Sequence, residues 1–267
     1  MSDPTGGSPG PVDLAGQVAV VTGGSGGIGL GIATALDRRG THVVIAGRDA
    51  DRIGRAARGL AHGAGFPGCD VRDPARVEAL FAFAEERFGP VEIAIACAGA
   101  GRAVGTAGRA VPQPVASLPE TEWDEAIDVN LKGVFHLARA AARRMTARGT
   151  GQIVNISSAR GALRGEPYGA GYCASKMAAR ALFHALAAET APAGVRAFSL
   201  LPDAVDTSLI AGTGLGKGGA LTPDQVGEVL ADLLALPLDA VLEDVRLSLK
   251  EGRPAARRAA ARTGGAA

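Results

Sequence analysis

The chain has 267 residues, of which 47% are hydrophobic, and it carries a net charge of +1. A chain of this length and composition can bury a large core in one α/β domain. Because both signs of charge are dispersed and no apolar run reaches the ~18 residues of a membrane-spanning helix, we expect no partnership with nucleic acid or with a membrane.

Short apolar runs alternate with longer segments of helical periodicity along the chain. The apolar runs predict strands at 17–22, 42–47, 65–70, 91–96, 152–157, 195–201 and 241–249. The longer segments predict helices at 27–39, 51–62, 74–88, 121–148, 172–190 and 223–236. This alternation, with several strands apolar throughout, predicts an α/β fold: a Rossmann-like doubly wound parallel sheet of about seven strands with helices on both faces.

The rest of the chain divides into two loops and two tails. Segments 100–118 and 203–221 fit neither pattern and follow predicted strands, so we expect them to be loops that line a functional site. Residues 1–13 are rich in Gly, Pro and Ser, and residues 252–267 are rich in Arg, Ala and Gly. Both are predicted to be flexible tails of a single domain at 14–251.

The three cysteines, Cys69, Cys97 and Cys173, lie far apart in the sequence. An odd number of cysteines without an export signal indicates reduced thiols and a cytoplasmic protein. Neither H-E-x-x-H nor a paired-cysteine spacing occurs, so no metal site is predicted.

A glycine-rich turn follows the first predicted strand. Residues 22–29 read T-G-G-S-G-G-I-G and open the first helix, a position typical of dinucleotide binding. Glycines allow a tight turn and close backbone approach, and a helix N-terminus attracts pyrophosphate. Gly23, Ser25 and Gly27 also match G-x-S-x-G, the nucleophile elbow of serine hydrolases. That alternative is the weaker one, because the hydrolase order needs a later histidine and none follows residue 184.

Tyr172 and Lys176 form a Y-x-x-x-K pair in the fifth predicted helix. Residues four apart lie on one helix face, about 40° apart at ~3.6 residues per turn. A nearby ammonium favours the phenolate and lowers the pKa of the tyrosine, which makes a general acid/base usable near neutral pH. An exposed helix pair without a role is the alternative, but the chain has only two tyrosines and four lysines, which makes a chance match uncommon.

Six motifs in order resemble those of the short-chain dehydrogenase/reductase family over roughly residues 14–249. Residues 22–29 match its cofactor fingerprint, 69–71 its adenine-contacting segment, and A-C-A-G at 96–99 its N-N-A-G with both asparagines replaced. W-D-E-A-I-D-V-N at 123–130 resembles the segment that ends in the catalytic asparagine, and I-V-N-I-S-S at 153–158 the strand that ends in the catalytic serine. P-D-A-V-D-T at 202–207 is similar to the P-G-x-V-x-T segment that closes over the nicotinamide, with Asp203 in place of the glycine.

The resemblance implies an NAD(P)-dependent oxidoreductase that interconverts a secondary alcohol and a ketone. Tyr172 would exchange a proton with the substrate oxygen, and Lys176 would hold the nicotinamide ribose and tune the tyrosine. Ser158 would hydrogen-bond the substrate oxygen, with Ser157 as the alternative because Ser158 lies fourteen residues before Tyr172. Asn130 would hold a water that relays protons. The implied cofactor contacts are Thr22, Gly23, Ser25, Gly27, Ile28, Gly29, Asp70, Val71, Ala98, Gly99, Lys176, Pro202, Val205 and Thr207.

Arg48 follows the second predicted strand and bears on the choice of cofactor. An NAD enzyme is expected to carry a ribose-binding acid near the end of this strand, but here Arg48 comes first and Asp49 after it. A guanidinium suits a 2′-phosphate through forked, charge-assisted bonds. The sequence therefore favours NADP over NAD, although Gly26 stands where many related NADP enzymes carry a second basic residue.

The helices at 121–148 and 172–190 also bear on assembly. The second carries an apolar stripe at helical period, and the resemblance implies a homodimer or homotetramer that pairs these two helices. The stripe comprises Met177, Ala178, Ala181, Leu182, Ala185 and Leu186. Packing of the stripe within one subunit is the alternative.

A Rossmann-like protein that senses a dinucleotide without catalysis also stays open as the function of the chain.

Overall fold

A computed structural model describes residues 10–100, 114–166, 169–208 and 219–249. Within them, seven parallel strands form one sheet in the order β3-β2-β1-β4-β5-β6-β7. This order confirms the predicted Rossmann-like doubly wound sheet. The strands are β1 (Val18–Thr22), β2 (His42–Gly47), β3 (Gly63–Pro67), β4 (Val91–Ala96), β5 (Gly151–Ile156), β6 (Val195–Pro202) and β7 (Asp244–Leu247).

Helices cover both faces of the sheet. They are α1 (Gly27–Arg38), α2 (Ala50–Ala57), α3 (Pro74–Phe88), α4 (Glu120–Ile127), α5 (Gly133–Arg148), α6 (Ala159–Leu163), α7 (Ala170–Thr190) and α8 (Pro223–Leu234). Side chains of β1 alternate between two apolar cores, as the two-residue period of a strand requires. One core packs against α3, α5 and α7, and the other against α1, α2 and α8.

Several predicted boundaries were wrong. The second predicted helix, 51–62, is α2 and already ends at Ala57, and the third strand begins at Gly63 instead of residue 65. Long-range hydrogen bonds explain this, because buried Asp37 in α1 accepts the N–H groups of Ala61 and His62 and fixes the turn before β3. Residues 69–70 therefore lie beyond the strand end, at the sheet edge.

The predicted helix at 121–148 is divided. Asp128–Lys132 forms a π-helical turn between α4 and α5. Such turns are often found at functional sites, and this one carries Asn130. The short helix α6 was not predicted, and the last strand covers only four residues of the predicted 241–249.

Buried Arg196 of β6 closes the C-terminal end of α8. Its guanidinium donates to the carbonyl oxygens of Leu233, Leu234, Leu236 and Pro237, and also to Gln152 Oε1 in β5 at 2.6 Å. Burial lowers the pKa of Arg196 from its ordinary value. The carbonyl groups at a helix C-terminus carry partial negative charge, which stabilises the buried cation.

The described residues bear only partly on the predicted tails and loops. Residues 1–9 and 250–267 of the tails lie outside them, as do 101–113 and 209–218 of the loops. Val12, which we placed in the N-terminal tail, donates its N–H to Ala235 O at 2.8 Å and packs against the core. No helix in the described ranges has the length and apolar character needed to cross a membrane.

Candidate active site

Two adjoining cavities lie where the carboxyl ends of the central strands meet, the edge at which open α/β sheets bind ligands. The larger cavity has a volume of about 440 Å³ and the smaller about 270 Å³. Predicted site residues on the larger cavity are Gly23, Ser25, Arg48, Asp70, Val71, Ala98 and Gly99. Those on the smaller cavity are Gly23, Ser25, Gly27, Ile28, Gly29, Gly99, Tyr172, Lys176 and Thr207.

The glycine-rich turn forms the floor shared by both cavities. Gly23 has a φ of 70°, and a Cβ there would lie 2.8 Å from Ala98 Cα, so only glycine fits. Thr22 is buried beneath the turn, where its Oγ1 accepts the N–H groups of Cys97 and Ala98. The first turn of α1 carries no acidic side chain, which leaves its N-terminal end suited to an anion.

The larger cavity is rimmed by charged side chains. Arg48 is exposed, and Asp49 caps α2 by accepting the N–H of Arg52 at 2.9 Å. Hydrogen bonds from Arg72, with Nε 2.9 Å from Oδ1, hold the pKa of Asp70 below its usual range. The acid nearest Arg48 in sequence is thus engaged as a helix cap, and Asp70 is paired with a cation.

Arg52 also lines both cavities, and sequence reasoning missed it. A Cβ on Gly26 would lie 3.0 Å from Arg52 Nη2, so this guanidinium lies over the glycine turn. The available signal was its position four residues after Arg48, in the helix predicted at 51–62.

Tyr172 and Lys176 stand together on the wall of the smaller cavity. Lys176 is 5% exposed, donates from Nζ to Ile156 O at 2.9 Å, and lies 6.0 Å from the centre of the Tyr172 ring. Burial lowers the pKa of Lys176 to about 8. Gly161 of α6 touches the same ring, since a Cβ there would lie 2.7 Å from Tyr172 Cε1. Gly161 is a second contact that sequence reasoning missed.

The two serines after β5 differ in their surroundings. Ser158 is half-buried and caps α6, with its Oγ accepting the N–H of Gly161 at 3.0 Å. That bond orients the oxygen and leaves the hydroxyl proton available to donate. Ser157 lines the smaller cavity, whereas Ser158 is not among its lining residues. The Ser157 hydroxyl oxygen is fully buried with no partner in the described ranges, so that residue reaches the cavity through its other atoms.

Asn130 is fully buried in the π-helical turn and lines neither cavity. Its Oδ1 accepts the N–H of Ala100 at 2.8 Å, and its Nδ2 donates to Ala100 O at 3.0 Å and to Ser175 Oγ at 3.1 Å. Both amide protons are therefore used within the protein. The side chain braces the segment after β4 against α7.

The segment after β6 forms one wall of the smaller cavity. Thr207 lines it, and a Cβ on Gly27 would lie 3.2 Å from Thr207 Cγ2, so the segment touches the glycine turn. Pro202 and Val205 are buried, and Val205 pairs with Leu221 instead of lining either cavity. Of these three predicted contacts, only Thr207 reaches the cavity.

Residues 17–216 match the family model described as short chain dehydrogenase. The chain belongs to the short-chain dehydrogenase/reductase family. It is accordingly an oxidoreductase of that family, as the order of its motifs predicted.

Several relatives of this chain share most of its length. An alcohol dehydrogenase from the archaeon Thermococcus sibiricus, complexed with 5-hydroxy-NADP, is 34% identical with a TM-score of 0.77, covering 89% of this chain and 98% of that one. A short-chain type dehydrogenase/reductase from Mycobacterium marinum is 29% identical with a TM-score of 0.77, covering 88% and 95%. An uncharacterised oxidoreductase of Staphylococcus haemolyticus is 30% identical over 234 residues, covering 87% and 97%.

The hydrolase alternative finds no support in the lining of the two cavities. Ser25 lines both cavities, but no histidine occurs among their described lining residues. Among the described residues, no group of three His, Cys, Asp or Glu side chains could hold a metal ion.

Proposed function

We propose that this protein is an NAD(P)-dependent oxidoreductase that interconverts a secondary alcohol and a ketone, with a preference for NADP. The observation that carries the proposal is the pairing of Tyr172 with buried Lys176 beside a glycine turn that is open to an anion. This pairing places a proton-transfer group next to a nucleotide-binding surface.

The residues present fit a dinucleotide. The Gly23 turn has no room for a side chain, and the α1 N-terminus above it bears no competing acid. In the proposed arrangement, the pyrophosphate lies on this turn, Lys176 holds the nicotinamide ribose and Thr207 covers the far side. Val71, Ala98 and Gly99 line the larger cavity, where the adenosine would bind.

The nicotinamide, when bound, supplies or accepts the hydride. Tyr172 donates its proton to the carbonyl oxygen during reduction and accepts one from the alcohol during oxidation. A positioned acid/base of this kind contributes ~10²–10⁴ in rate. In the proposed reaction Ser158, which does not itself line the cavity, turns its hydroxyl proton to the same oxygen when the substrate is bound. The Lys176 ammonium favours the phenolate form of Tyr172.

Two arginines support the preference for NADP. Arg48 and Arg52 both line the larger cavity, and Arg52 lies against Gly26, where the sequence lacks a basic residue. Arg52 therefore provides, from α2, a cation near the place where the sequence indicated that one was missing. Forked guanidinium groups suit a 2′-phosphate, and Asp49 is engaged as a helix cap. The similar Thermococcus sibiricus enzyme was solved with an NADP derivative.

A panel of ketones and alcohols, followed by nicotinamide absorbance with NADPH, NADH and their oxidised forms, tests the proposal. Turnover of at least one substrate by the wild type supports a dehydrogenase. Tight nucleotide binding with no turnover across the panel would favour the sensor alternative.

We also propose that the chain acts as a homodimer or homotetramer, in a reducing compartment such as the cytoplasm, through one catalytic domain at 14–251. Leu186 of the predicted apolar stripe is buried within the subunit, but Met177, Ala181 and Ala185 are exposed along α7, beside exposed Phe135 of α5. One part of the predicted stripe therefore packs in the core of the subunit, and the exposed part is available for an interface. Light scattering after size exclusion should report at least twice the chain mass for the wild type and a monomer for Ala181→Arg.

A further inference from the structure

A cluster of charged side chains lines neither cavity but lies on segments that lead to Tyr172 and Thr207 of the smaller cavity, and it has no part in the proposed chemistry. It comprises Arg160, Glu166, Asp203 and Arg246. Arg160 Nε donates to Asp203 Oδ1 at 2.9 Å, and Arg160 Nη1 lies 3.4 Å from Glu166 Oε1. Arg246 Nη2 lies 3.8 Å from Asp203 Oδ2. We call this group the Arg160 cluster.

The Arg160 cluster joins three segments that surround the smaller cavity. Arg160 belongs to α6, which also carries Gly161 against the Tyr172 ring and is capped by Ser158. Glu166 precedes α7, and its N–H donates to the sulfur of Cys173 at 3.4 Å. Asp203 opens the segment that leads to Thr207. Arg160 therefore links α6, the helix capped by Ser158, to the segment before α7 and to the segment that leads to Thr207 in the cavity wall.

Asp203 is well placed to set the course of the segment 203–208. Its N–H donates to Leu247 O at 2.8 Å, and its Oδ1 also accepts the N–H of Ala204 at 3.0 Å. At the other side, Asp206 donates its N–H to Leu221 O at 2.8 Å. The segment is held at both of these points. Directly after Asp206, it reaches the glycine turn through Thr207.

The acids of the Arg160 cluster are shielded more than an ordinary surface pair. The side chains of Asp203 and Glu166 are 23% and 19% exposed, whereas that of Arg160 is 42% exposed. The hydrogen bond to Asp203 raises the pKa of Arg160, which stays charged at any physiological pH. Removing Arg160 would take away the cation that both partly buried carboxylates contact, and would loosen the connection between the segments that carry them.

We propose that Arg160 is a positioning residue, which acts through Asp203 to hold the segment 203–208 against the nucleotide-binding turn and through Glu166 to hold that wall in register with Tyr172. This inference rests on the proposed function. It also gives a role to the aspartate that stands in place of the glycine expected at position 203. The consequence is tighter retention of the bound nucleotide, because the segment that carries Thr207 stays against the glycine turn.

The test compares the wild type, Arg160→Ala, Arg160→Lys, Asp203→Asn and the double variant Arg160→Ala/Asp203→Asn. NADPH binding is measured by titration, and NADPH release by stopped flow. Arg160→Ala should raise Kd roughly three- to tenfold, mainly through faster release, and Arg160→Lys should recover much of that loss. The Kd of the double variant should rise by less than the product of the two single increases, because both substitutions disrupt the same interaction between Arg160 and Asp203. Hydrogen exchange at 203–208 should rise in Arg160→Ala without nucleotide.

Arg39→Ala is the matched control. Arg39 also pairs with two acids, Glu228 and Asp232, but it joins α1 to α8 away from the cavities. Arg39→Ala should change the melting temperature of the protein as much as Arg160→Ala does, while leaving the rate of NADPH release unchanged. If Arg160→Ala does not fold, Arg160→Lys and Asp203→Asn carry the same comparison.

The outcomes separate the inference from the proposed function. A wild type that binds neither NADPH nor NADH would contradict the function, and the exchange measurement would still test the contact. A wild type that binds NADPH, with Arg160 variants that release it at the same rate, would overturn the positioning role alone. Equal acceleration by Arg39→Ala would overturn it too, because the effect would then be one of general stability.

Discussion

In the larger cavity, the side chains that would meet a ligand are long, charged and exposed, with Arg48 and Arg52 at the rim. In the smaller cavity, Lys176 is buried and bonded to Ile156 O, and Tyr172 lies against Gly161. The two cavities share the glycine turn but differ in how their side chains are held. Exposed side chains can be exchanged with little effect on the fold, whereas the buried groups are fixed by contacts that span several elements. We therefore expect the larger cavity to determine which nucleotide binds, and the smaller cavity to determine whether reaction follows.

Tyr172→Phe should produce the largest effect. The ring and its contact with Gly161 remain, but the transferable proton is lost, so turnover should fall by ~10²–10⁴. The Kd for NADPH should stay within about twofold of the wild type, since no charge is removed. Both quantities are measured on the same preparation once the substrate panel has given an active compound. A variant that keeps most of its turnover would remove the proposed distinction between the cavities.

Gly161→Ala should disturb the smaller cavity without changing its chemical groups. The new Cβ would lie 2.7 Å from Tyr172 Cε1, so the ring must move. A displacement approaching 1 Å at a reacting group can cost about 10² in rate. Gly165→Ala is the control, because nothing lies within 4 Å of a Cβ there. Steady-state kinetics that find the two variants equally active would show that the ring does not depend on this contact.

Arg48→Ala and Arg52→Ala should act on nucleotide binding, Arg48 through the larger cavity alone and Arg52 where it lines both cavities. Each should weaken NADPH binding by about tenfold or more, the cost of one charge-assisted hydrogen bond, and change NADH binding little. Calorimetric titration of both nucleotides provides the measurement, with exposed Arg55→Ala on α2 as the control. A wild type that binds NADH more tightly than NADPH would contradict the assignment of the 2′-phosphate to these arginines.

The free energy of unfolding should show the buried lysine through its pH dependence. Burial lowers the pKa of Lys176 from 10.5 to about 8, so between these values the unfolded chain holds more protons than the folded one. The contribution of Lys176 therefore becomes more favourable as pH rises from 8, by up to ~1.4 kcal/mol per pH unit. Cys97 stays neutral nearby, because burial raises its pKa to about 12.

Urea denaturation of the wild type and of Lys176→Met at pH 7.5, 9 and 10 isolates this term. The stability advantage of the methionine variant should shrink with rising pH. A constant difference would mean that Lys176 keeps its ordinary pKa, and that the smaller cavity is more hydrated than its burial indicates.

Sequence reasoning found the parts of the site that depend on local pattern. Residue spacing over a few positions is enough to recognise the seven strands, the glycine turn and the Tyr172–Lys176 pair. The contacts that it missed join residues distant in sequence or in different elements. Arg52 meets Gly26 across two elements, and the position of β3 depends on Asp37 of α1. Such contacts depend on how the helices and strands pack in three dimensions, which the spacing of residues in the sequence does not reveal.

Ser158 shows the same limit at one residue. Its distance from Tyr172 in sequence made the choice between Ser157 and Ser158 uncertain. The unpredicted helix α6 begins directly after Ser158 and gives its hydroxyl oxygen a partner in the N–H of Gly161. A five-residue helix has too little periodicity to stand out from a loop.

The Arg196 contacts at the end of α8 have a consequence for cooperativity. The guanidinium is buried and donates to carbonyl groups at the C-terminal end of α8 and to Gln152 of β5. Departure of α8 alone would break the charge-assisted hydrogen bonds to Leu233 and Leu234, at a cost of a few kcal/mol, and would uncover the part of β6 that carries Arg196. The last strands and α8 should accordingly open as one unit. Native-state exchange under mild denaturant would then give the amides of β6 and the C-terminal turn of α8 a common opening free energy.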